Sequence, residues 1–147
     1  SRGLGDVYKR QDYALIEFHP TATADYIAQS LYKVENAGYT PVLAHIERYP
    51  DLFKNIKMIE QIIEGGAYIQ VNASSVEGRL GGGVKRQIIK MMKKGLVHFV
   101  ATDAHSNRSR APQLEECIRY IEKKLGSDYV KKLFIDNPEK MVHNEYI

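Results

Sequence analysis

Four residues of metal-ligand type stand at the ends of three apolar runs. Glu17 closes Leu15-Ile16-Glu17, His45 closes Val42-Leu43-Ala44-His45, and Asp103 and His105 follow Phe99-Val100-Ala101-Thr102. Carboxylate and imidazole together bind divalent cations and, where a coordination position stays open, support hydrolysis. If the runs are parallel strands, these residues lie at their C-terminal ends. In (β/α) barrels that is the face where connecting loops converge over the active site. The pattern reads as a metallohydrolase site, and as an incomplete one.

Taken singly, each residue has an ordinary alternative. A carboxylate late in a buried strand needs a partner for its charge, and a Lys or Arg would serve Glu17 as well as a metal. His45 alone is a hydrogen-bonded loop residue as readily as a ligand. Arg48, three residues on, shifts that balance because a guanidinium can hold two phosphate oxygens at once. In Asp103-Ala104-His105 the alternating spacing can send both side chains from a strand end toward one mouth, with Arg108 and Arg110 following. Asn72 reads as a turn residue making a local Asx bond rather than a site amide. His98 begins its run instead of ending it, which assigns it to the stability face. His19 and His143 read as loop and tail residues.

The elements that position these residues follow from periodicity. Strands are expected over Tyr13 to Phe18, Pro41 to His45, Ala67 to Val71 and Val97 to Ala101. Between them, a helix over Ala24 to Ala37 places Ile27, Leu31 and Val34 on one stripe, with Gly38 as its left-handed stop. A second helix over Leu52 to Glu64 turns Ile56, Ile59 and Ile63 inward. A flexible loop ending in Gly81-Gly82-Gly83 leads to a basic helix, Val84 to Lys94, whose Lys85, Arg86, Lys90, Lys93 and Lys94 coat its solvent face. A last long helix runs from about Pro112 to Leu125. Such alternation implies βαβ units and a parallel sheet, and four units amount to roughly half of a barrel.

Composition sets the outer limits. The chain has 147 residues, 44% hydrophobic and 27% charged, the bulk of one globular domain. No apolar run nears the roughly 20 residues that span a bilayer, so membrane insertion is not expected. The single Cys117 has no internal disulfide partner, which fits a reducing cytoplasm. A cysteine-based phosphatase is also disfavoured, since Lys123 stands where an Arg six residues after the thiolate would be needed. Residues 1–11 read like the translation of a sequencing-transposon adapter and are expected to be non-native. Residues 12–147 would then be the C-terminal portion of a longer domain. Without residues 1–11 three cations and one carboxylate leave, and the formal charge falls from +3 to +1. That leaves no electrostatic reason to expect a nucleic-acid partner.

Several motifs together carry a resemblance over residues 12–147. They are Leu15-Ile16-Glu17-Phe18, the run Gly38-Tyr39-Thr40-Pro41-Val42-Leu43-Ala44-His45-Ile46-Glu47-Arg48-Tyr49, Gln70-Val71-Asn72-Ala73, Gly95 through His105, and Asn137-Pro138-Glu139-Lys140. In this order and spacing they resemble the bacterial capsule and exopolysaccharide tyrosine-phosphatases of the PHP superfamily. The resemblance implies an α/β fold, the C-terminal part of a distorted (βα)7 TIM-like barrel whose N-terminal strands are missing. It implies a trinuclear, usually manganese, site with Glu17, His45, Asp103 and His105 among its ligands. Arg48 and Arg110 match the substrate-binding and catalytic arginines, and His105 belongs to the catalytic set as well. The implied substrate is phosphotyrosine on a bacterial tyrosine kinase governing polysaccharide export, and a homo-oligomer is compatible with all of this. Two departures stand out: Ile46 replaces the usual Pro after the ligand His, and His19 is inserted before Pro20. Two other readings stay open, another PHP phosphoesterase such as a histidinol-phosphate phosphatase, and a non-catalytic fragment or docking module.

Overall fold

The alternation of strand-length and helix-length patterns folds as periodicity requires. A computed structural model describes residues 12–102 and 110–147, the side chains of 110–113 excepted. Strand β1 (Tyr13–Ile16) leads to helix α1 (Ala24–Asn36) and β2 (Thr40–Leu43). A 3₁₀ turn (Ile46–Arg48), α2 (Pro50–Phe53) and α3 (Ile56–Glu64) precede β3 (Tyr68–Asn72). Helices α4 (Ala73–Val76) and α5 (Gly82–Lys93) lead to β4 (Phe99–Ala101). Then follow α6 (Arg110–Leu125), α7 (Ser127–Lys131), a π turn (Lys132–Asp136) and α8 (Asn137–Val142).

Local chemistry sets the helix boundaries. The Thr23 hydroxyl accepts the Tyr26 N–H at 3.1 Å and Asp51 Oδ2 accepts the Ala24 N–H at 2.7 Å, so two side chains satisfy the start of α1. The second of these bonds holds the Asp51 carboxyl below its usual range. Gly38, at φ +96°, turns the chain out of α1 as expected. The single helix expected over Leu52 to Glu64 is instead two. Asn55 accepts the Met58 N–H at 3.0 Å and starts α3 afresh, an Asn competing locally with helix continuation. Ile59 and Ile62 are the buried residues of α3, while Ile63 packs only partly. Gly82 and Gly83 form the first turn of α5 rather than a loop. The basic residues of this helix coat its outer face apart from Lys85, which lies 4.1 Å over the Tyr120 ring.

The four strands form one parallel sheet in the order β1-β2-β3-β4. Ile16 pairs with Leu43, Leu43 with Ile69, and Asn72 with Ala101, so Glu17, His45 and Asn72 all stand where strands end on one side of the sheet. Leu43, Ile69 and Val71 pack against Ile27 and Leu31 of α1, Ile59 of α3, Ile88 and Met91 of α5, and Cys117 and Ile121 of α6. Each buried side chain of this size contributes about 1.5–3 kcal/mol. Leu15, on the edge strand β1, is 60% exposed although its register partner Val42 is buried.

At the opposite side of the sheet His98 behaves as a structural residue. Its Nδ1 accepts the Ile69 N–H at 3.0 Å, its backbone N–H donates to the Ile69 carbonyl at 2.9 Å, and its carbonyl accepts from the Asn137 amide at 2.9 Å. The Tyr68 ring meets it edge-on at 4.8 Å. Burial pushes the His98 pKa down to about 4, so the ring is neutral at physiological pH.

Candidate active site

Glu17 follows β1 directly, and the loop that carries it is tied to the next unit. The Phe18 N–H donates to the Tyr49 hydroxyl at 3.1 Å, and the two rings meet edge-on with centroids 6.0 Å apart. Tyr49 is fully buried, so this bond fastens the loop after β1 to the turn after β2. The Ala44 N–H continues the ladder by donating to the Ile16 carbonyl at 3.0 Å. His45, the next residue, is left-handed at φ 52°, ψ 52°. A non-glycine residue in this region is uncommon and tends to occur at functional sites. The conformation swings the chain from β2 into the 3₁₀ turn.

These constraints bring together two of the residues singled out by type. His45 Nε2 lies 3.0 Å from Glu17 Oε1, with the imidazole mostly buried and the carboxylate mostly exposed. The other ring nitrogen, Nδ1, lies 2.6 Å from Asn72 Oδ1. Asn72 therefore faces the imidazole of the candidate site. The local Asx bond expected for it is not made: Asn72 occupies the N-cap position of α4 without a side-chain capping bond, because an imidazole 27 residues upstream takes its oxygen instead. Among the described residues no three His, Cys, Asp or Glu side chains gather at one point. Asp103 and His105 lie outside the described residues. Arg110 begins α6, and its side chain lies outside them as well.

Arg48 ends the 3₁₀ turn, exposed, and lines a cavity of about 280 Å³ with Glu47, Asn72, Ser74, Ser75, Arg79 and Leu80. Glu47 is 6% exposed. Its Oε2 accepts the Asn72 N–H at 3.1 Å and the Ser75 hydroxyl at 2.7 Å, while Oε1 is buried without a hydrogen-bond partner. One carboxylate thus ties the turn after β2 to the end of β3. Nothing in the motif reading marked Glu47, Ser75 or Tyr49 as part of this framework. The signal for Glu47 was its place between Ile46 and Tyr49, an acid in an apolar turn that is tolerable only when hydrogen-bonded. The paired His45 and Glu17 atoms present nitrogen and oxygen donors at one point, a donor set that fits a divalent ion. His19 bonds the Thr21 hydroxyl within its own loop and is exposed. Cys117 is buried in α6 with its thiol pushed up to about 12, which agrees with the argument against thiolate chemistry. Among the described residues no helix is long and apolar enough to cross a membrane.

Comparison with known proteins agrees with the motif reading. The chain is 37% identical over 140 residues to the tyrosine-protein phosphatase CpsB of Streptococcus pneumoniae, covering 92% of this chain and 58% of that protein. It is 32% identical over 149 residues to the tyrosine-protein phosphatase YwqE of Bacillus subtilis, covering 97% and 58% respectively. The chain therefore spans somewhat more than half the length of these relatives. A structure from work on YwqE from Bacillus subtilis and CpsB from Streptococcus pneumoniae, described as unique metal-dependent tyrosine phosphatases, superposes with a TM-score of 0.81 at 32% identity. The superposition covers 93% of this chain and 55% of that one. A family model described as capsular polysaccharide synthesis, CpsB/CapC, matches residues 6–143, and the chain belongs to that family.

Proposed function

We propose that this chain carries part of the active site of a metal-dependent protein-tyrosine-phosphatase. Its substrate is phosphotyrosine on a bacterial tyrosine kinase that regulates capsule or exopolysaccharide synthesis in the cytoplasm. The four-stranded sheet is a segment of a distorted (βα)7 PHP barrel, a reading supported by the parallel order of the strands and the exposed β1 edge. Glu17, His45, Asp103 and His105 are its metal ligands, with manganese the expected ion. The observation that carries the proposal is the approach of His45 Nε2 and Glu17 Oε1 to 3.0 Å at the strand ends, with Arg48 three residues on, in a chain of the CpsB/CapC family.

Bound divalent ions would supply positive charge against the phosphoryl oxygens and acidify a water at neutral pH. The chain's own contribution is placement. The Tyr49 hydroxyl fixes the Phe18 backbone next to Glu17, and the Asn72 contact fixes the His45 ring. Arg48 and Arg110 take the substrate phosphate through paired N–H donors and oppose the charge that grows on its oxygens in the transition state. His105 serves in catalysis as well as in ligation. The residues suit a phosphoester, because its hydrolysis is mostly positioning and charge stabilisation, and the family supplies the choice of phosphotyrosine.

The test uses the full-length protein and follows phosphate release from a phosphotyrosine peptide. Chelation should abolish release and Mn2+ restore it. Arg48→Ala and Arg110→Ala should each lower kcat/KM by about a hundredfold or more with metal content and thermal stability near wild type. Faster turnover of histidinol phosphate than of the peptide, or near-normal turnover by both variants, would overturn the proposal.

A further inference from the structure

His45 stands between two hydrogen-bond acceptors. Its Nε2 faces Glu17 Oε1 at 3.0 Å and its Nδ1 faces Asn72 Oδ1 at 2.6 Å. A carboxylate oxygen and an amide oxygen both accept, whereas a neutral imidazole has only one N–H to give. The two contacts are reconciled when Nδ1 keeps its proton for Asn72 and Nε2 turns its lone pair toward a cation that Glu17 also faces. A ligating histidine is commonly fixed in this way by what its other nitrogen donates to.

We propose that Asn72 is a positioning residue that selects the His45 tautomer and ring orientation in which Nε2 is a ligand. The inference rests on the reading of Glu17 and His45 as metal ligands and adds to it the residue that prepares one of them. Three observations make Asn72 suitable. It is 4% exposed, so water does not compete for its amide. It ends β3 in register with Ala101, on a strand rather than a loop. Its own N–H is held by the buried Glu47 carboxylate, which also accepts from Ser75, so the backbone that carries the amide is fixed from a second side. A strand-borne group held in this manner can impose an orientation on its partner. His45, at φ 52° and joining β2 to the 3₁₀ turn, is the residue whose ring most needs one.

The experiment compares wild type, Asn72→Leu and Asn72→Asp in the full-length protein. Leu matches the size of Asn without an acceptor. Asp keeps an acceptor oxygen at the same place while exchanging the amide NH2 for a second oxygen and adding a negative charge. Mn2+ affinity is measured by competition with a chelator, and the His45 Nδ1 proton by nitrogen-correlated NMR of the zinc-loaded protein. Asn72→Leu should bind Mn2+ about tenfold or more weakly and lose the protected Nδ1–H signal, whereas Asn72→Asp should retain both. A role confined to packing would affect the two variants alike, so equal losses overturn the inference. So does undiminished affinity in Asn72→Leu, or a His45 ring protonated at Nε2. Wild-type protein that binds no Mn2+ would overturn the metal-site reading and this inference together. Wild-type binding with an indifferent Asn72→Leu would overturn the inference alone.

Discussion

Replacing His98 by Asn should remove most of the acid sensitivity that this residue gives the fold. His98 Nδ1 accepts the Ile69 N–H at 3.0 Å, a bond that a proton on Nδ1 would destroy. Burial lowers the pKa from 6.5 to about 4 in the folded chain. Between those two values the unfolded chain binds more protons than the folded one, so stability rises with pH there. The contribution is complete above about pH 6.5 and is lost as the pH falls toward about 4. The shift corresponds to about 3 kcal/mol. An Asn side chain can place its oxygen near the position of the histidine Nδ1 and keep the Ile69 bond without titrating. Urea unfolding of wild type and His98→Asn at several pH values isolates the effect, because the carboxylates titrate alike in both. Loss of the ring against Tyr68 lowers the variant by a constant amount. On top of that offset, wild type should lose about 2–3 kcal/mol relative to the variant between about pH 7.5 and pH 4.5. A pH-independent difference between the two proteins, or an NMR titration placing folded His98 near 6.5, would refute the reasoning.

Two further outcomes follow from the framework around the site. Tyr49→Phe keeps the buried ring but removes the acceptor of the Phe18 N–H, so urea unfolding should show a loss of about 1–3 kcal/mol and the Phe18 amide should exchange faster; unchanged values for both would mean that the amide finds another partner. Cys117, with its thiol raised to about 12 by burial, should resist iodoacetamide near neutral pH until denaturant is added. Mass spectrometry showing stoichiometric labelling of the folded protein would contradict that.

The joint between β1 and β2 shows how several weak constraints make one site. The left-handed His45, the Phe18–Tyr49 bond and the Asn72 contact each fix a different part of it. The two bonds each reach into the next βα unit, across 31 and 27 residues, while the His45 conformation is set locally. A change at Tyr49 or Asn72 acts on the surroundings of Glu17 or His45 without altering either side chain, and under the proposed metal-site reading this is how substitutions outside the ligand set would alter metal affinity.

Elements and the residue types at their ends were readable in the chain itself, because hydrophobic period and helix-stop signals are local. Ile27 and Leu31 recur at helical spacing and are buried in α1, Gly38 is where the chain turns left-handed, and Glu17 and His45 do stand beyond strand ends on one side of a parallel sheet. The family, too, was legible from the motifs and their order. Local signals misled where a distant partner or a local competitor was overlooked. Asn55 broke a continuous apolar stripe by capping α3, and Ile62 rather than Ile63 became its second buried residue. Asn72 carries every mark of a turn residue, yet its oxygen faces His45. Glu47, given no role in the sequence reading, is buried and clasps the turn after β2 to Asn72 at the end of β3 and to Ser75 of α4. These partners lie 25 to 28 residues apart in sequence. Periodicity reports which face of an element is apolar, but it carries no information about which polar groups meet once the elements pack. Only the tertiary structure decided that.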